Sequence, residues 1–170
     1  LVAHEARRLG SVLDDEQLER LGSYVDILRI WNERVRLLGD RSPSALVRKH
    51  LPDCLALLPL VPDAGTLADI GTGAGLPGLV LACVRPEREC WLIESRQRRL
   101  SFLQEVKARV GLEGVHVVGS RAEDLAERHD FAQRASLITA RAIPVEDLIA
   151  CGRPLLRPDG RILVMQSQKM

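Results

Sequence analysis

Asp69, the glycines at 71, 73, 75 and 78, Glu94 and Glu123 are the residues whose types and spacing could act together. An apolar run from Thr66 ends in Asp69, a glycine-rich loop follows, and a helical-looking segment begins at Gly78. A strand, a glycine turn and a helix in that order form a nucleotide-type cofactor site, because glycine lets a ligand approach the main chain closely. Gly73-Ala-Gly75-Leu-Pro-Gly78 satisfies G-x-G-x-x-G. Glu94 closes the next strand about 20 residues later, where an acidic residue can hold a ribose.

That much fits a dinucleotide as well as S-adenosylmethionine, and three features favour the second. Asp69, at the end of the first strand, could receive the ammonium of a methionine moiety and would oppose a pyrophosphate. Pro77 removes an N–H at the helix entry, where phosphates want donors. After the third strand, Ser120-Arg121-Ala122-Glu123-Asp124 offers a carboxylate and backbone N–H groups to an adenine edge. Asp69 and Glu123 could instead simply cap helices.

The elements that must position these residues follow from periodicity. Residues 1–12 suggest a short helix stopped by Gly10. Asp14 and Gln17 form a capping-box pattern. Leu18, Leu21, Val25, Leu28, Trp31, Val35 and Leu38 then make one apolar stripe of a long helix, with Trp31 in the core. Ser42-Pro43 starts another helix that breaks or restarts near Pro52. His50 and Asp53 lie three apart there. Without a third ligand they are poor metal ligands, and capping or packing against the main domain is the default. Pro59, Pro62 and Gly65 mark a boundary between a helical extension (residues 1–64) and a core (residues 65–170).

From Thr66 onward short strands alternate with helices. Strands are predicted at Thr66–Ile70, Glu89–Glu94, Val115–Val118, Ser136–Ala140 and Arg161–Gln166. Helices are predicted at Gly78–Val84, Arg96–Val110, Ala122–Arg128 and Val145–Leu155. Repeated βα units imply an α/β, Rossmann-like, mostly parallel sheet with helices on both faces.

The net charge of +1 gives no global basic bias, so a nucleic-acid partner has to be read from local cations. Only Lys49, Lys107 and Lys169 of the 24 basic residues are lysine; arginine suits phosphate, although genome composition would give the same bias. Cys54, Cys83, Cys90 and Cys151 are scattered without a CxxC pair and read as reduced, which points to the cytoplasm. No apolar run is long enough for a membrane span.

The residues closely resemble the RsmG (GidB) family, which methylates guanine N7 in bacterial small-subunit (16S) ribosomal RNA. The matching pieces are Trp31-Asn32, Lys49-His50-Leu51-Pro52-Asp53, Asp69 through Gly78, and Val84-Arg85-Pro86. Glu94-Ser95 with Arg98-Arg99, Phe102-Leu103, Ser120-Arg121-Ala122-Glu123 and Ala140-Arg141-Ala142 complete them. The resemblance implies a class I methyltransferase core and cofactor contacts at Gly71, Leu76, Ala122, Glu123 and Arg141. It also implies RNA-facing cations near Arg98 and Arg141. The expected partner is small-subunit ribosomal RNA or the assembling subunit, the product S-adenosylhomocysteine, and the working form a monomer without metal.

The chain departs from the family in places: Arg36-Leu37-Leu38 stands where relatives carry Asn-Leu-Thr after the Trp-Asn helix. Gln166-Ser167 replaces a Lys-Gly that relatives commonly carry after strand five, and the C-terminal strand pair of the family has no counterpart before Met170. Guanine N7 has a lone pair and no proton, so no general base is expected, and no His/Asp or Cys/His arrangement is read beside the loop. Catalysis would rest on alignment and local field, with Arg141 as positioning residue. Arg96, Arg98 and Arg99 open a helix, which is unfavourable for cations and suggests phosphate contact or a solvated face. The rival readings are a methyltransferase for a small molecule or protein, a non-catalytic RNA-binding assembly factor, and a nucleotide-dependent oxidoreductase.

Overall fold

The computed structural model describes residues 2–8, 10, 12–39 and 46–166. Two helices open the chain: α1 (Val2–Arg8) and α2 (Asp15–Val35). The capping box at the start of α2 is formed on both sides: the Gln17 N–H donates to Asp14, and the Asp14 N–H donates to the Gln17 side chain. The apolar stripe predicts a helix running on to Leu38, but α2 stops at Val35. Arg36 takes a left-handed conformation (φ 47°), and the Asn32 side chain accepts the Leu38 N–H at 2.8 Å, ending the helical pattern. Leu21 and Leu28 on the stripe are fully buried, each contributing about 1.5–3 kcal/mol.

The Ser42-Pro43 helix start lies outside the described residues. A π-type turn at Leu46–His50 runs into α3 (Leu51–Leu55). Pro52 sits in the first turn of α3, where no N–H is required of it, so the restart near Pro52 is observed.

The core alternates as β1 (Thr66–Ile70), α4 (Gly78–Val84), β2 (Cys90–Glu94), α5 (Gln97–Val110), β3 (Val115–Gly119) and α6 (Ala122–Leu125). It continues with β4 (Ala135–Arg141), α7 (Val145–Gly152) and β5 (Leu156–Met165). All five strands are parallel, in the order β3-β2-β1-β4-β5. Strand β5 begins earlier than the predicted Arg161: Ala135 pairs with Leu156 but Leu137 pairs with Arg161, so Pro158-Asp159-Gly160 form an irregularity in its register.

Alternate side chains feed two apolar clusters, as a sheet covered on both faces requires. Leu67, Leu92 and Leu137 join α2, α4 and α5 on one face. Ala68, Ile70, Ile93 and Ile138 join Leu125 of α6 and Leu148 of α7 on the other. Trp31 packs edge-on against Phe102 (5.8 Å between centroids) and donates its indole N–H to Glu105, which docks α2 on α5.

Helix α2 also closes the far end of α4. Gln17 Nε2 donates to the Val84 carbonyl and Arg20 Nε to the Cys83 carbonyl, both at 2.9 Å. Those carbonyls otherwise lack helical partners, and a cation there suits the helix dipole. The four cysteines are free and buried, and burial pushes the thiols of Cys54, Cys83 and Cys90 up, leaving them protonated. Among the described residues no helix is long and apolar enough to cross a membrane.

Candidate active site

The carboxyl ends of β1, β2, β3 and β4 share one edge of the sheet, where open α/β folds bind ligands. The loop between β1 and α4 emerges at this edge with positive φ at Gly73 (58°). A Cβ there would stand 3.3 Å from Arg99 Nη1, so glycine leaves the loop surface bare. Gly78 has a different task. A Cβ would approach Leu92 Cδ2 at 2.5 Å and Asp69 Oδ2 at 2.6 Å, so only glycine lets α4 pack this closely on the sheet.

Asp69 is fully buried beneath the loop. Its Oδ2 accepts the Thr72 hydroxyl (2.6 Å) and the Gly78 N–H (2.9 Å), while Oδ1 accepts the Thr139 hydroxyl from β4 (2.8 Å). Burial raises its pKa to about 6, although all three hydrogen bonds pull the other way. From its place at the end of β1, Asp69 is expected to face a ligand's ammonium. Instead its carboxylate is engaged by protein donors, and it ties β1, the loop, α4 and β4 together. The capping alternative describes it better.

The N–H groups of Gly75 and Leu76 donate to the Thr72 carbonyl, Gly78 donates to Asp69, and Leu79 donates to the Gly75 carbonyl. Pro77 has none. The helix entry therefore has few donors left for a pyrophosphate, which weighs against the dinucleotide reading.

Tyr24 of α2 supports the loop from outside. It is fully buried, and its hydroxyl donates to the Ala74 carbonyl at 2.8 Å. Helical spacing offers no sign of this, since Tyr24 lies beside the apolar stripe and reads only as core. Tyr24→Phe leaves that carbonyl without its partner. The expected loss is about 1 kcal/mol, or about 2–4 °C in Tm, measured by thermal denaturation.

A groove of about 380 Å³ opens over the loop. Gly71, Gly73, Leu76, Arg99 and Arg141 line it, and the extension closes its other side with Leu37, Lys49 and His50. A larger hollow of about 540 Å³ lies near Gln133 and Arg157, at the amino-terminal ends of β4 and β5, which are not where such folds place their chemistry.

The remaining expected residues fall around this groove. Glu94 is buried; its Oε1 accepts the N–H groups of Ser95 and Arg96, and its Oε2 pairs with Arg99 Nη1 at 3.3 Å. Arg99 is thus held inward on Glu94, while Arg96 and Arg98 are exposed at the start of α5. Ala122 is buried and Glu123 exposed where β3 leads into α6; neither lines the groove. Gly75 also stays out of the lining.

Arg141 ends β4. Its Nη2 lies 2.8 Å from His50 Nδ1 and 3.6 Å from Asp53 Oδ2. Its Nη1 is buried with no hydrogen-bond partner among the described residues, a donor that an acceptor on a ligand would satisfy. The expectation of no His/Asp arrangement near the loop is corrected, because tertiary packing carries the extension's His50 to the groove. Among the described residues no group of three or more His, Cys, Asp or Glu could hold a metal ion.

A family model described as rRNA small subunit methyltransferase G matches residues 17–170. The chain belongs to this family. Curated members of the methyltransferase G family resemble it over most of its length. The Halorhodospira halophila protein of that name is 40% identical over 159 residues, covering 93% of this chain and 73% of its own. The Desulfitobacterium hafniense protein is 39% identical over 166 residues, covering 96% and 68%. Among solved structures, a SAM-dependent methyltransferase from Aquifex aeolicus superposes with a TM-score of 0.56 at 19% identity, over 72% of this chain and 66% of that one. The five-stranded parallel sheet is that of the Rossmann-like class I methyltransferases.

Proposed function

We propose that this chain transfers a methyl group from S-adenosylmethionine to N7 of a guanine in small-subunit ribosomal RNA. The observation that carries the reading is Arg141. In a chain of the methyltransferase G family, it stands at the carboxyl end of β4 beside the glycine loop, with one buried donor unpartnered among the described residues. When bound, S-adenosylmethionine supplies a methyl on a sulfonium. Gly71, Gly73 and Leu76 would hold it along the loop, Glu94 at the end of β2, and Ala122 with Glu123 after β3.

Guanine N7 already carries a lone pair, so no side chain has to remove a proton. The work of the chain is alignment and electrostatics. The loop is fixed from below by Asp69 and from the side by Tyr24. Arg141 can orient the guanine, a flanking phosphate or the cofactor's acidic end with its remaining N–H groups. Arg96 and Arg98 would meet RNA phosphates on the exposed side of α5. Residues 1–64 act as a helical wall over a core of residues 65–170, and the protein works as a monomer in the cytoplasm on ribosomal RNA or an assembling subunit.

The test uses ribosomal RNA from cells lacking the protein, incubated with the purified chain and methyl-labelled cofactor. Label is expected in the small-subunit RNA at a guanine that becomes cleavable by borohydride and aniline, the signature of N7 methylation. Absence of label, or label at a different atom, rejects the reading.

A further inference from the structure

We propose that His50 is a positioning residue for methyl transfer, acting by fixing the orientation of Arg141. This rests on the reading that Arg141 serves the reaction. A guanidinium has five N–H donors and no acceptor. At 2.8 Å from Arg141 Nη2, His50 Nδ1 is therefore the acceptor, and the ring is neutral with its proton on Nε2.

The same Nη2 faces Asp53 Oδ2 at 3.6 Å, so both contacts from the extension converge on one nitrogen of the fork. Nη1 is left buried without a partner among the described residues. The arginine is gripped on one side and kept available on the other. Asp53 is half exposed, and its longer contact is screened by solvent, which makes His50 the principal partner.

Local geometry explains how the two acceptors reach the site. His50 ends the π-type turn Leu46–His50, and Asp53 follows three residues later in α3, so both project from one face. π-Type turns recur at functional sites. His50 lines the groove, but the ring nitrogen facing Arg141 is already engaged, and guanine N7 offers no proton to a base. The extension thereby becomes part of the active site.

The experiment has two arms. The first needs no variant: 15N–1H correlation spectra of the wild-type imidazoles, with His50 assigned by its disappearance in His50→Asn. Nδ1 without a proton and Nε2 with one is expected; a protonated Nδ1 overturns the contact. The second arm compares His50→Leu with His50→Asn, whose amide oxygen can replace the Nδ1 acceptor. His50→Leu is expected to lower kcat at least about tenfold with less than about a twofold change in KM for RNA, while His50→Asn stays within about threefold of wild type. Wild-type kcat in His50→Leu overturns the proposal. So does an equal loss in both variants, which is what a general base would give. If the wild-type chain transfers no methyl group to the RNA, the proposed function fails, and the ring spectra still decide the contact.

Discussion

Arg141→Ala yields a folded protein that transfers methyl groups at least about a hundredfold more slowly, the usual scale for losing one preorganised donor at a reacting centre. The fold survives because the lost contacts are few. They are one hydrogen bond to His50 and a partly solvated pair with Asp53, together about 1 kcal/mol. A buried donor without a partner among the described residues disappears with them. Arg141→Lys keeps a charge but loses the planar fork, so it cannot hold His50 and present a second N–H group in the same geometry. It is expected to recover less than about a tenth of the lost activity on the same reasoning. Single-turnover transfer of labelled methyl to the RNA, with a melting curve for each variant, measures both parts. Transfer by Arg141→Ala near the wild-type rate would remove Arg141 from the site.

Asp69 gives the second large effect, and its pH dependence separates the two roles considered for it. Because burial raises its pKa to about 6, the native state holds a proton that the unfolded chain has already released near pH 4. The associated stability is fully present below about pH 4 and is lost as the pH rises through about 6, on the order of 3 kcal/mol in total. Asp69→Asn abolishes that slope. Its amide oxygen can still accept from Thr72 and Gly78, and its NH2 can donate to a rotated Thr139 hydroxyl. Urea denaturation at pH 4.5 and 7 should therefore show the stability difference shrinking in this variant.

Asp69→Ala behaves differently. Three donors lose their acceptor at about 1–3 kcal/mol each, against which the relief of a buried charge at neutral pH offsets on the order of 3 kcal/mol. The net loss is about 3 kcal/mol, which lowers Tm by about 6–12 °C. Cofactor titration completes the comparison. Asp69→Asn is expected to bind S-adenosylmethionine within about threefold of wild type, since a hydrogen-bonding post survives the change. A collapse of binding in Asp69→Asn would restore the direct ammonium contact and refute the supporting role.

Local chemistry made much of this chain legible. The Asp14–Gln17 capping box, the helix bounds Gly78–Val84 and the helix end at Val110 each depend on residues within a few positions of one another. Family resemblance then added Leu76, Ala122 and Arg141 to the expected site, of which Leu76 and Arg141 line the groove. What stayed hidden depends on distant partners. Asp69 looked like a ligand contact because Thr139, which takes its second oxygen, lies 70 positions away. His50 and Arg141 are 91 positions apart, and no periodicity links them. Tyr24 is concealed in another way, since its ring satisfies the pattern of a core residue and its hydroxyl leaves no trace in the spacing. Arg99 was within reach: an arginine five positions after an acid that ends a strand can fold back onto it, as it does on Glu94. Pro158-Asp159-Gly160 reads locally as a break before a strand, but the structure carries β5 through it as an irregularity in the pairing with β4.

Helix α4 is fastened at its entry by Asp69 through the Gly78 N–H, and at its exit by Gln17 and Arg20 through the last carbonyls. Mechanically it is a short beam clamped at both ends, with the glycine loop as its rigid shoulder. A load on the loop is shared by β1 through Asp69 and by α2 through Tyr24. The loop's shape is therefore set before any ligand arrives, and little ordering entropy remains to be lost when one does.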